Sequence, residues 1–171
     1  MCKLYQADFT EDRQLVRELF AEYLQWVNEY ILQKLGVGFD VQAKVAEDMA
    51  QLQMFSPPDG RLVLAIVDSE VAGIGCIKTI GERVGEIKRM YVRPQFRRRG
   101  LGRKLLGNLV EQSVTMGHAV LRLDSAWFME AAHALYHSFG FREIAPYPES
   151  EIPKEIQYLW VFMEKDLTAQ A

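Results

Sequence analysis

Residues 85–124 constrain the fold more than any other part of the chain, because they combine two strands with a connecting helix. The first strand is GEIKRMYV, and the segment RPQFRRR separates it from the helix GLGRKLLGNLVEQSVTMG. The second strand is HAVLRLD, which follows the glycine that stops the helix. This order predicts a β-α-β unit, in which two parallel strands are joined by a right-handed crossover.

The rest of the chain surrounds this unit with further helices and hairpins. Helical spacing of apolar residues predicts a helix over residues 11–32, with Thr10 as its N-cap, and a second helix over residues 40–52. Two apolar runs around DSE predict a hairpin. The predicted order is β-α-α-β-β-β-α-β-α-β-β. It indicates an α/β fold (α+β in some schemes), with a single domain over residues 1–171. We expect a mixed central sheet of about seven strands with helices on both faces.

Composition excludes several other classes of protein. A chain of 171 residues with 49% hydrophobic content can bury a core without disulfides or metal. Its two cysteines, Cys2 and Cys76, lie in no metal-binding spacing, so we expect no metal site. The start of the chain lacks a basic segment followed by a long apolar run, and no apolar run approaches membrane-spanning length. We therefore expect a cytoplasmic protein without a membrane partner.

Positive charge is concentrated in one segment of a chain whose net charge is -3. Residues 88–104 contain eight Lys or Arg and no acidic residue, so the remaining residues carry a balance of -11. A positive patch on a negative body favours a small polyanion. A nucleic-acid-binding protein would more often be basic overall, so we expect no nucleic-acid partner. Charge by itself leaves open a third interpretation, a solvated run of charges.

The position of the basic segment at the start of a helix narrows its function. The first turn of a helix has unpaired N–H groups and a partial positive charge, which together bind anions. Gly100 and Gly102 would let a phosphate approach the backbone closely. The chain contains no GxxxxGK[ST] string, and GLGRKLLG does not complete GxGxxG. The segment therefore predicts a site for a pyrophosphate-bearing cofactor.

The string RRRGLG, Arg97 to Gly102, resembles the acyl-CoA signature [Q/R]-x-x-G-x-[G/A] of the GNAT N-acetyltransferase superfamily. The wider string MYVRPQFRRRGLGRKLL and the later ALYHSFGF resemble conserved blocks of that family. The resemblance implies a GNAT-like fold and acetyl-CoA as co-substrate. It also implies acetyl transfer to a primary amine by direct attack in a ternary complex. A non-catalytic acyl-CoA-binding or sensing module stays open as the alternative, and so does a longer acyl group.

The same resemblance implies how acetyl-CoA would be bound. In the family, the signature loop and the helix start hold the pyrophosphate. A bulge also splays the preceding strand, whose backbone then pairs with the pantetheine arm. The cofactor-binding residues implied here are Met90, Tyr91, Val92, Arg97, Arg98, Arg99, Gly100, Leu101, Gly102, Arg103 and Lys104.

Two catalytic residues are implied by the resemblance. Tyr136 matches the tyrosine that protonates the leaving thiolate, and Glu86 matches the position where some members carry a general base. Ordered water stays open as the alternative base. Met129 stands where the family often has Asn, which puts in doubt any cofactor contact at that position. His133 and His137 share a helix face but lack a third metal ligand.

The sequence gives the least information about the identity of the acceptor and the residues that bind it. Asp124 and Ser125 end a strand, where ligands gather in such sheets, so they could contact it. The late loop also carries Glu149, Glu151 and Glu155, which would suit a cationic amine near aromatic side chains. Those aromatics are Tyr23, Trp26, Tyr30 and Tyr147. A small-molecule or peptide amine is expected, and a homodimer is possible.

Overall fold

The computed structural model describes residues 1–170, which form one seven-stranded sheet and four α-helices. The strands are β1 (Cys2–Gln6), β2 (Gly60–Val67), β3 (Glu70–Gly81), β4 (Val84–Val92), β5 (Val120–Ala126), β6 (Arg142–Ile144) and β7 (Trp160–Asp166). The helices are α1 (Arg13–Leu35), α2 (Val41–Ala50), α3 (Leu101–Thr115) and α4 (Glu130–Ser138). The predicted element order and fold class are confirmed.

The sheet is mixed, and its strand order is β1-β2-β3-β4-β5-β7-β6. Strands β4 and β5 pair in parallel and are joined through α3, while their neighbours pair antiparallel. The predicted β-α-β unit is therefore confirmed as the centre of the sheet. Over residues 1–170, no helix combines the length and the apolar character needed to cross a membrane.

Helices cover both faces of the sheet, as the alternation of side chains along β2 illustrates. Leu62 and Leu64 pack in the cluster that includes α1 and α2, whereas Val63 and Ala65 pack in the cluster that includes α3. This is the two-residue period of a strand buried on both sides. Fully burying a leucine stabilises the fold by about 1.5–3 kcal/mol, so both layers contribute to holding the sheet in place.

Several boundaries differ from the sequence prediction by a few residues, and two of them have a clear local cause. The N-cap of α1 is Asp12 rather than Thr10, because Thr10 lies in the preceding turn. That turn is closed by Asp8, whose Oδ1 accepts hydrogen bonds from the N–H groups of Thr10 and Glu11. The segment IQYLWVFMEKDL, residues 156–167, has the pattern of a strand. The last strand begins only at Trp160, however, because residues 154–159 form a short 3-10 helix.

The central strands separate halfway along their length. Parallel pairing of β4 with β5 ends at Ile87 and Leu123. Beyond that point β4 carries a bulge against β3, and Arg89 adopts a φ of +52°. A bulge adds a residue to one strand and breaks its regular pairing. The expected bulge is therefore confirmed, and it opens a gap between β4 and β5.

Candidate active site

A cavity of about 630 Å³ occupies the gap between β4 and β5, and we call it the strand-gap cavity. Its walls come from the bulged half of β4, the start of α3, the carboxyl end of β5 and α4. Nine of the eleven predicted cofactor-binding residues lie on these walls, so the fold brings most of that set together. They are Met90, Tyr91, Val92, Arg97, Arg98, Gly100, Leu101, Gly102 and Arg103, whereas Arg99 and Lys104 lie outside the lining.

The loop before α3 has the backbone geometry of a helix-end anion site. Arg98 and Gly100 adopt left-handed φ angles of +59° and +76°, and α3 then begins at Leu101. The first N–H groups of a helix have no partner within it. Gly102 also matters for packing, because a Cβ at this position would lie 3.3 Å from Leu135 Cδ2 on α4. Gly102 therefore lets two walls of the cavity approach closely.

Two arginines at the rim are held in place by other residues. Arg97 Nε donates a 2.9 Å hydrogen bond to the Val92 carbonyl, and its guanidinium lies 4.7 Å from the centroid of the Trp26 ring. Arg103 Nη2 donates a 3.1 Å bond to Ser138 Oγ. Charge-assisted bonds from arginine suit phosphate oxygens, so these side chains fit a pyrophosphate at the start of α3.

Tyr136 lies inside the strand-gap cavity, with 6% of the residue exposed. Its hydroxyl points at Met90 Sδ, 4.0 Å away. Burial raises the pKa of the Tyr136 phenol above its usual value. The hydroxyl therefore stays protonated at neutral pH, which is the form that a proton donor needs.

Glu86 is fully buried and lies outside the lining of the strand-gap cavity. Its Oε2 accepts a 2.7 Å hydrogen bond from the Tyr147 hydroxyl, and Oε1 lies 3.4 Å from Lys88 Nζ. Burial raises the pKa of the Glu86 carboxyl, although Lys88 and Tyr147 act in the opposite direction. The sequence placed Glu86 on the central strand but did not indicate that its side chain would be enclosed.

A second cavity of about 670 Å³ lies between α1, α2 and the segment before β7, and we call it the loop cavity. Its walls include Leu24, Phe39, Asp48, Glu151 and Ile156, but not Glu86. Four residues line both cavities, which therefore meet at one place. They are Tyr23, Lys88, Arg89 and Asp124.

Lys88 and Arg89 reach the same cavities because of the bulge. Consecutive strand residues normally point to opposite faces of a sheet. Sequence reasoning treated these residues only as part of the basic segment. Their position on a strand otherwise suited to burial was the signal that could have identified them as part of the site.

Acidic side chains neutralise both cations. Lys88 Nζ lies 3.3 Å from Asp124 Oδ2 and 3.4 Å from Glu151 Oε1. Arg89 Nε lies 2.7 Å from Asp48 Oδ2, and Arg89 Nη1 lies 2.7 Å from Glu151 Oε1. Burial acts to raise the pKa of Glu151, but Arg89 and Lys88 outweigh it and hold that pKa far below its usual value.

Only part of the acidic and aromatic set expected around the acceptor meets at the loop cavity. Glu151 lines it, while Glu149 lies 3.8 Å from Arg122 and Tyr147 is buried against Glu86. Most carboxylates of this cavity therefore come from elsewhere in the chain than the late loop, namely from Asp40, Glu47, Asp48 and Asp124.

The two histidines of α4 have separate partners. His133 Nε2 lies 3.1 Å from Ser125 Oγ, and His137 Nδ1 lies 3.2 Å from the Phe141 carbonyl oxygen. In the part of the chain that the structure covers, no three His, Cys, Asp or Glu side chains are grouped so that they could hold a metal ion.

Comparisons with known proteins agree with this arrangement. The model of the acetyltransferase (GNAT) family matches residues 14–141. An uncharacterised N-acetyltransferase of Schizosaccharomyces pombe is 31% identical over 148 residues, which cover 84% of this chain and 88% of that protein. The IAA acetyltransferase of Azospirillum brasilense is 32% identical over 130 residues, which cover 75% and 82%.

A solved structure that contains coenzyme A shares the fold. The PaiA N-acetyltransferase of Thermoplasma acidophilum, solved in complex with coenzyme A, superposes with a TM-score of 0.73 at 18% identity. The match covers 97% of this chain and 99% of that chain. The chain therefore belongs to the acetyltransferase (GNAT) family, and it is an acetyl-CoA-dependent N-acetyltransferase that acts on an amine.

Proposed function

We propose that this enzyme moves the acetyl group directly from acetyl-CoA to the primary amine of a small acceptor, with both substrates bound at once. One observation carries the proposal: the strand-gap and loop cavities share the walls formed by Tyr23, Lys88, Arg89 and Asp124. A donor in one cavity and an acceptor in the other would bring the thioester and the amine together. Holding two reactants in place in this way lowers the barrier of a bimolecular step.

Acetyl-CoA would be bound along the strand-gap cavity. The loop from Arg97 to Gly102, with Arg103 and Lys104 at the start of α3, would hold the pyrophosphate. The backbone of Met90, Tyr91 and Val92 would pair with the pantetheine arm, as an added strand would. The end of β4–β5 pairing at Ile87 supports this, because the backbone beyond it has no β5 partner.

The reaction joins the amine nitrogen to the carbonyl carbon and breaks the bond from that carbon to sulfur. One proton must leave the nitrogen, and one must reach the departing thiolate. Tyr136 would protonate the thiolate, since its buried hydroxyl stays protonated and lies in the strand-gap cavity. Water then returns a proton to the phenolate, so the enzyme ends the cycle unchanged.

The group that takes the amine proton has two candidates. Glu86 stays a predicted base, but it lines neither cavity. A proton from the amine could therefore reach Glu86 only through Lys88 or water. Asp124 lines both cavities and lies on the same lysine. We therefore propose Asp124 as the carboxylate nearest the amine and Glu86 as the residue that positions Lys88.

An amine panel with acetyl-CoA, followed by free-thiol release, tests the proposed function. Initial rates measured over both substrate concentrations should give intersecting reciprocal plots, as a ternary complex requires. Parallel plots would indicate a covalent acetyl-enzyme and contradict direct attack. Thiol release that does not depend on an amine would contradict the amine as acceptor.

A further inference from the structure

Three cations converge on one carboxylate in the loop cavity. Glu151 lies 3.3 Å from Lys44 Nζ, 3.4 Å from Lys88 Nζ and 2.7 Å from Arg89 Nη1. Lys44 comes from α2, and the other two come from β4. These regular elements hold the positive groups around a single anionic position, where a carboxylate receives bonds from all three.

Among the carboxylates that pair with Lys88 and Arg89, Glu151 is the one best able to move away from them. It lies in the segment between β6 and β7, and 29% of its side chain is exposed. By contrast, Asp48 on α2 is 10% exposed and Asp124 on β5 is 8% exposed. Exchange of Glu151 for another carboxylate would keep the charges of the cavity in balance. Each cation also keeps another carboxylate partner during the exchange, so none is left as an unpaired charge, a state that is costly. Those partners are Glu47 for Lys44, Asp124 for Lys88 and Asp48 for Arg89.

The anionic position is close to the place where the amine must react. Lys88 Nζ contacts both Glu151 and Asp124, so these two carboxylates lie no further apart than the sum of those two distances. An α-amino acid carries its ammonium and carboxylate groups on one carbon, so both groups could fit within this span. Its amine could lie at Asp124 while its carboxylate takes the position held by Glu151.

The rest of the loop cavity is largely apolar. Leu24, Val27, Ile31, Phe39 and Ile156 form much of its wall. Burying an apolar side chain against such a wall is favourable by about 25 cal/mol for each Å² removed from water. The cavity therefore combines an anion position, a carboxylate for the amine and room for an apolar group.

We infer that the acceptor is an amino acid with an apolar side chain. Its carboxylate displaces Glu151 from Lys44, Lys88 and Arg89, and its amine lies against Asp124. This inference rests on the proposed function and specifies its substrate class. Glu151 then acts as an internal competitor, because the loop carboxylate must move out before the acceptor carboxylate can bind. The apparent affinity for the acceptor is reduced by the fraction of enzyme in which Glu151 still holds the cations.

Matched substrates test the anion position. Phenylalanine and phenylalaninamide share the amine and the apolar side chain and differ in the carboxylate, and leucine and leucinamide form a second pair. We expect kcat/KM to be about tenfold or more higher for each amino acid than for its amide, which corresponds to one charge-assisted interaction. Equal kcat/KM values within both pairs would overturn the inference.

Two variants assign the effect to particular residues. Lys44→Gln should raise KM for phenylalanine about fivefold or more and leave KM for phenylalaninamide unchanged. Glu151→Gln should lower KM for phenylalanine, because it weakens the internal competitor. Glu149→Gln is the matched control, since Glu149 is in the same segment but lies 3.8 Å from Arg122 and outside the loop cavity. Thermal unfolding of each variant verifies that it is folded.

The opposite sign identifies the competing explanation. If Glu151 binds a cationic acceptor instead, Glu151→Gln should raise KM for amines such as spermidine, and the amino acids should be poor substrates. That result would overturn the inference but not the proposed function. If Glu151→Gln does not fold, the effect of Lys44→Gln on the two substrates of a pair decides the matter. Absence of amine-dependent thiol release from every amine, with acetyl-CoA bound, would instead contradict the proposed function itself.

Discussion

Lys88 Nζ lies 3.3 Å from Asp124 Oδ2, and this ion pair stands where the two cavities meet. The lysine also lies 3.4 Å from Glu86 Oε1, so it joins an enclosed carboxylate to one that faces the cavities. The sequence assigned the function of general base to Glu86, whereas this relationship indicates Asp124 for that function and a positioning function for Glu86.

Asp124→Asn should lower kcat by about a hundredfold or more, the range lost with a general base. Glu86→Gln should lower kcat less, because Glu86 lines neither cavity and acts through Lys88. Steady-state rates over a range of pH values, with the best amine of the panel, compare the two variants. A larger loss in Glu86→Gln, with a changed pH profile, would identify Glu86 as the base.

Tyr136→Phe should lower kcat by about a hundredfold and leave the affinity for acetyl-CoA nearly unchanged, because the ring still fills its place. Burial raises the pKa of Tyr136, so the phenol of the wild-type enzyme stays protonated as the pH rises. The wild-type kcat should therefore show no loss from Tyr136 ionisation up to about pH 10, the usual pKa of tyrosine. Unchanged kcat in the variant would exclude Tyr136 as the acid.

Gly100→Ala and Gly36→Ala form a matched pair for the loop before α3. Both glycines have left-handed φ angles, +76° and +70°, and a Cβ at either would meet no atom within 4 Å. Each substitution should therefore lower the free energy of unfolding by about 1–2 kcal/mol from backbone strain. Only Gly100→Ala should raise the Kd for coenzyme A, because Gly100 lines the strand-gap cavity. Urea unfolding and titration calorimetry measure the two effects, and an equal Kd in both variants would count against this loop as the pyrophosphate site.

Arg97→Ala should weaken coenzyme A binding by about tenfold, the loss expected from one charge-assisted hydrogen bond. Arg97 lines the strand-gap cavity, whereas Arg99 lies outside it with its guanidinium 5.5 Å from the Phe96 ring centroid. Arg99→Ala should therefore have a smaller effect at the same net charge. Titration calorimetry with coenzyme A compares the two. Equal losses would mean that the cluster acts through its overall charge.

Tyr147→Phe should lower stability more at pH 8 than at pH 4. The Tyr147 hydroxyl donates to Glu86 and lowers a carboxyl pKa that burial raises, so its loss raises that pKa further. A raised carboxyl pKa destabilises the folded state increasingly as the pH rises above the pKa of the unfolded chain. We expect a loss of about 1–3 kcal/mol at pH 8, measured by urea unfolding. A loss independent of pH would mean that Glu86 does not change its protonation state between pH 4 and pH 8.

Local patterns in the sequence were sufficient for the element order and for the anion-binding helix start. The segment from Arg97 to Gly102 could be interpreted because its requirements are local: left-handed backbone at Gly100 and free N–H groups at the start of α3. The apolar alternation of β2 likewise depends on neighbouring residues alone. Features of this kind are determined within a few positions along the chain.

The acceptor side was decided by tertiary structure. Lys44, Lys88, Asp124 and Glu151 come from α2, β4, β5 and the segment before β7, so no local spacing predicts that they meet. The sequence placed Glu86 on a strand but did not indicate that it would be buried. It also did not indicate that Gly102 packs against Leu135. The sequence by itself determined the fold and the donor, whereas the bulge in β4 and the packing of distant elements decided which charges surround the amine. The physical reason is that burial and ion pairing depend on contacts between residues far apart in the chain.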